Sequence, residues 1–85
     1  MHACGHDAHT AILLCLAEVF AANRDLIQHG SVRFLFQQAE EVMPGGAFYL
    51  VKDGIMKDVD RIFGLHISNM YETGTLACTA GPTLA

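Results

Sequence analysis

Ala8 to Asn23 is a nearly continuous run of Ala, Leu, Ile, Val and Phe without Gly or Pro, broken only by His9, Thr10, Cys15 and Glu18. That composition over about four turns predicts a helix. Apolar positions fall almost all round it, Glu18 being the exception, which predicts burial on more than one side. Asp7 and Thr10 stand where N-terminal caps are expected, Asn23-Arg24-Asp25 is the expected end, and His29-Gly30 reads as a turn.

The period then changes from helical to alternating. In Ser31 to Gln37, Val32, Phe34 and Phe36 share one face and Leu35 takes the other, which predicts a strand. A polar cluster, Gln37 to Glu41, and Pro44-Gly45-Gly46 follow. Ala47 to Lys52 is expected as a second helix closed by Asp53-Gly54, with further strands at Arg61 to His66 and Gly74 to Thr79. Strand, helix and strand in this order suit a right-handed βαβ crossover, so the expected class is α/β. Glu40, Glu41 and His66 then fall at the carboxyl ends of two parallel strands, where such sheets gather ligands.

Composition narrows the reading. The 85 residues make at most one small domain, yet hydrophobic residues are 52% and charged ones 16%. So apolar a short chain is expected to pack against further protein, as a cut piece of a larger domain does. A net charge of -4 and five scattered Lys and Arg argue against nucleic acid as a partner. The longest apolar run, Ala11 to Ala17, is far short of a membrane span, and the first residues have neither a basic nor an apolar leader, so the expected location is cytoplasmic. Three cysteines, an odd and sparse set, argue against a disulfide framework, and Cys15 and Cys78 are expected in helix and strand packing.

Three features could carry chemistry. Cys4 and His6 are two apart, so in an extended segment they can converge on one ion, with Gly5 allowing a close turn. Thiolate and imidazole suit zinc-, cobalt- or manganese-type sites. Glu40-Glu41 sends neighbouring carboxylates in different directions, so one could bind metal while the other acts as general base on the attacking water. His66 ends a strand as either a ligand or a polar terminus. Each has an ordinary alternative: a structural Cys beside a surface His, a solvated acidic loop, a capped strand end. His2 and His9 flank the first feature as hydrogen-bond partners of the ligands or as surface residues, and His29 reads as a surface turn. Together Cys, His, Glu and His form a plausible metal shell.

The stretch Met1-His2-Ala3-Cys4-Gly5-His6-Asp7-Ala8-His9-Thr10-Ala11 resembles the metal-binding signature of the M20 metallopeptidases. The resemblance is to the branch of aminoacylase-like and hippurate-hydrolase-like amidohydrolases that includes the auxin-conjugate hydrolases. Phe36 to Glu41 with Gly45-Gly46-Ala47 resembles that branch's second motif, and Gly64-Leu65-His66 its third. The similarity covers essentially the whole chain.

The resemblance implies that Cys4, His6, Glu41 and His66 are metal ligands, that Glu40 is the catalytic general base, and that Asp7 orients a ligand. It implies two divalent ions, zinc or manganese, and cleavage of the amide of an N-acyl amino acid or related conjugate. The fold it implies is a three-layer α/β sandwich of the dinuclear-metal exopeptidase kind, of which residues 1–85 would be a partial catalytic domain. Family members begin well upstream of Met1 and continue beyond Ala85 into a lid domain used for dimerisation and substrate binding; a further metal-binding His lies in their missing part. Gln38 stands where the family usually has Pro, which alters the stiffness of the approach to Glu40 but not its chemistry. The alternative is a non-catalytic remnant that at most binds a divalent ion. A small redox module is disfavoured, since no Cys-x-x-Cys is present.

Overall fold

The computed structural model describes residues 1–78, 80 and 81. Helix α1 runs His6–Ala22, a single 3-10 turn follows at Arg24–Leu26, and helix α2 runs Gly46–Lys52. The long Ala/Leu run produces α1 as its composition requires, but the helix begins two residues before Ala8. Its N-cap is Gly5, at φ 79 and ψ 23, with no side-chain cap. Asp7 lies instead inside the first turn, where a carboxylate favours the helix dipole, and the Thr10 hydroxyl donates back to the His6 carbonyl at 2.9 Å. Asn23 caps the far end, its backbone N–H reaching the carbonyls of Phe20 and Val19.

Helix α2 closes in a Schellman arrangement. Gly54 takes φ 84, its N–H donates to the Val51 carbonyl at 3.0 Å, and the Ile55 N–H donates to the Leu50 carbonyl at 3.0 Å. At its other end Gly46 lies against the backbone of Gln38: a Cβ there would sit 3.0 Å from the Gln38 carbonyl carbon and closer still to its oxygen. This contact ties the start of α2 to the approach to Glu40. Ala39, at φ 50, occupies the left-handed region that a residue with a Cβ seldom adopts.

No segment pairs as a strand among the described residues. Residues 31–37, 61–66 and 74–78, expected as strands, form no ladder, although 31–37 carry the alternating pattern; Thr79, the expected end of the third, lies outside the described residues. A ladder needs a second strand about 4.8 Å away. Residues 31–37 are instead held by side chains. Phe34 meets Phe20 of α1 edge to face at 5.7 Å, and the Arg33 guanidinium donates to the Ile55 carbonyl beyond α2.

No hydrophobic side chain is buried among the described residues. The accessible surface is 8140 Å² for 9.2 kDa, whereas a folded monomer of that mass exposes about 4,900 Å². The radius of gyration is 14.9 Å, against about 12 Å for a compact domain of this length. Burial of α1 on more than one side is therefore not found: Leu14, Leu16 and Val19 are exposed, as are Cys15 and Cys78, expected in packing. The apolar surface that the composition foretold is present, but facing outward.

Candidate metal centre

Three separate stretches of chain meet at the N-terminal end of α1. Gly5 makes the first of these meetings possible. Its positive φ turns the chain from Cys4 into the helix, and its missing side chain leaves room for Ile67, whose Cγ1 would lie 2.8 Å from a Cβ at this position. The turn sets Cys4 just before the helix and His6 at its first residue, while Ile67 brings the adjacent His66 alongside.

Cys4 Sγ lies 3.4 Å from His66 Nε2. His6 Nε2 lies 3.6 Å from Glu40 Oε2 and 3.7 Å from Glu41 Oε1. Cys4, His6 and His66 form one group whose donor atoms all lie within 4.8 Å of one another, and His6, Glu40 and Glu41 form a second. His6 belongs to both. All five residues singled out from the sequence are thus gathered in one place, beside a depression of about 250 Å³ walled by residues 1–6 and Glu41.

Hydrogen bonds fix the protons on two of the rings. A carbonyl can only accept, so the contact of His66 Nδ1 with the Ile67 carbonyl at 2.5 Å places the His66 proton on Nδ1. In the neutral ring Nε2 then carries the lone pair, directed towards Cys4, the form a metal ligand requires. The Ile67 backbone N–H donates to His9 Nε2 at 3.0 Å, so that nitrogen is unprotonated. Loss of hydration, followed by the adjacent His66 and His6 rings, pushes His9 below the ordinary histidine range, with Asp7 opposing. Loss of hydration, then Glu41 and Glu40, pushes the Cys4 thiol above its ordinary range.

The donor set fits a borderline divalent cation. Two donors at ordinary zinc distances on one tetrahedral ion stand roughly 3.3–3.8 Å apart, which is the spacing of Cys4 to His66 and of His6 to each carboxylate. A thiol with imidazoles suits zinc, and carboxylates with imidazole also suit manganese. The groups are open to solvent: the His6 side chain is 37% exposed, those of Glu40 and Glu41 60% and 66%. Glu40 and Glu41 stand at almost the same distance from His6 Nε2. Asp7 is exposed, and no side-chain hydrogen bond joins it to the site among the described residues. The contact that sequence patterns did not bring out is His9 with Ile67, because its partner is a backbone N–H 58 residues away.

Residues 1–81 match the model of peptidase family M20/M25/M40. The chain is similar to an N-acyl-L-amino acid amidohydrolase of Geobacillus stearothermophilus, with 49% identity over all of the chain and 23% of that protein. It is 48% identical to thermostable carboxypeptidase 2 of Saccharolobus solfataricus, again over the whole chain and 22% of the relative. An IAA-amino acid hydrolase (ILR1-like 6) of Arabidopsis thaliana is 45% identical, the chain covering 18% of it. No solved structure matches at a significant level. The chain therefore belongs to the M20/M25/M40 peptidase family, spanning about a fifth of the length of the curated relatives it matches.

Proposed function

We propose that this chain is the metal-binding portion of a dinuclear amidohydrolase that cleaves the amide of N-acyl amino acids or related conjugates. One observation carries the reading: Cys4, His6, Glu40, Glu41 and His66, drawn from three stretches of sequence, converge as two donor groups that share His6. The names of the relatives, amidohydrolase and amino acid hydrolase among them, support the reaction class. Cys4, His6, Glu41 and His66 would hold two divalent ions, zinc or manganese. When bound, such ions polarise a substrate carbonyl and stabilise developing negative charge. Glu40 takes the proton of the attacking water and returns it to the leaving amine, a transfer suited to a carboxylate beside the site and not committed as a ligand. Its approach through Ala39 and the Gly46 contact supports a fixed direction for that carboxylate.

The same reading makes residues 1–85 a contribution to a larger three-layer α/β sandwich, acting in the cytoplasm. A lid domain elsewhere in the polypeptide would pair two copies and close over substrate. The exposed apolar faces support further protein around this portion. The alternative for the chain on its own is a non-catalytic remnant that at most binds a divalent ion. The deciding experiment is metal analysis with an amidase screen on the full-length protein against N-acyl amino acids. About two equivalents of zinc or manganese and metal-dependent turnover are expected; a metal-free, active enzyme would sink the proposal.

A further inference from the structure

We propose that His9 is a positioning residue, a clasp that holds the His66 segment against the first turn of α1 and so keeps two donors from distant stretches together. The inference rests on the metal-centre reading above. His6 and His9 are three apart on α1, so they lie on one side of the helix. One turn of helix thus supplies a donor, His6, and the acceptor that secures another donor's neighbour. The Ile67 N–H donates to His9 Nε2 at 3.0 Å, and the His9 and His66 rings meet edge to face with centroids 4.4 Å apart. The Ile67 side chain fills the space over Gly5, so both the backbone and the side chain of the residue after His66 are engaged. Residues 61–68 belong to no helix and no ladder, so these contacts do what a secondary-structure partner does elsewhere. The Nε2 of His9 is already taken by Ile67, which separates its role from that of the donor residues.

The test compares His9→Leu, His9→Gln and a distant control, His29→Leu, in the full-length protein. Cobalt(II) affinity is read from the thiolate-to-cobalt absorption of Cys4, with circular dichroism reporting helix content. His9→Leu is expected to weaken cobalt binding by roughly 10–100-fold, the usual loss on removing a partner that orients a ligand. His9→Gln, whose amide oxygen can accept the same N–H, restores most of the affinity, and the control matches wild type. His9→Leu at wild-type affinity overturns the clasp. If His9→Leu loses helix content, His9→Gln decides: cobalt binding as weak as in the leucine variant also overturns it. Failure of the wild type itself to take up cobalt removes the metal reading, a result distinct from either.

Discussion

Cys4 Sγ lies 3.4 Å from His66 Nε2 although 62 residues separate them. A cation held between them should shield one thiol and leave two alone. All three cysteines are free and exposed. In the full-length protein, zinc is expected to slow alkylation of Cys4 at least about tenfold, as thiolate nucleophilicity is lost to the metal, without altering Cys15 or Cys78. Peptide mass spectrometry after timed iodoacetamide treatment checks this, and equal slowing at all three sites would contradict it.

Metal uptake should depend on pH in a direction set by the same thiol. The Cys4 thiol is pushed above its ordinary range, so its proton is still bound at neutral pH and must leave when an ion binds. Affinity therefore rises with pH through neutrality and goes on rising past the ordinary thiol range before it levels. Competition titrations with a chelator at several pH values measure the slope. A flat profile between neutrality and the thiol range would show that Cys4 does not ligate as a thiolate.

Glu40→Gln and Glu41→Ala should part company. The first is expected to retain metal and lose about 100- to 10,000-fold in turnover, the usual contribution of a general base. The second is expected to lose metal first. Paired metal analysis and kcat on the full-length variants distinguish them; matching metal loss in both would mean that the two carboxylates share one role.

Gly46→Ala places a methyl group on the Gln38 backbone, which cannot move aside as a side-chain tip can. A cost of roughly 1–3 kcal/mol is expected from such overpacking, read as a lower urea midpoint for the full-length protein. Gly64→Ala, where a Cβ meets nothing within 4 Å, is the comparison. Equal midpoints for the two variants would refute the contact.

The 85-residue chain alone should show no amidase turnover with added zinc or manganese and no cooperative thermal transition. With no hydrophobic residue buried among the described ones, burial supplies too little to offset the entropy of ordering the chain. A sharp calorimetric transition, or robust metal-dependent turnover, would overturn this expectation.

Sequence patterns carried the helices further than the strands. Helix α1 is local: its Ala and Leu need no partner to favour helical backbone, and only its start was misplaced, because Gly5 caps it through backbone conformation instead of the side chains of Asp7 or Thr10. Helix α2 came out one residue longer at its start than Ala47–Lys52, its close at Asp53-Gly54 as expected. The alternation of Val32, Phe34 and Phe36 is equally visible, but a ladder depends on whichever strand lies beside it, and no residue within 31–37 encodes that neighbour. Cys4 beside His6, and Glu40 beside Glu41, could be read as pairs. That His66 and Cys4 could share one shell was suggested by their placement and made specific by the resemblance, since nothing in the spacing of 62 residues measures a distance in space. His9 shows the limit most clearly, because the group it binds is a main-chain amide that looks the same in every sequence.

His6 stands in both donor groups, and its neutral imidazole offers a single lone pair. One nitrogen cannot bond to two ions at once, so the half-sites compete for it. With one equivalent of metal, the ion that recruits His6 leaves its rival position with either Cys4 and His66 or Glu41 alone, Glu40 being kept for the attacking water. Loading would then be antagonistic, the second equivalent binding more weakly than the first, and a stoichiometric titration would show two unequal steps.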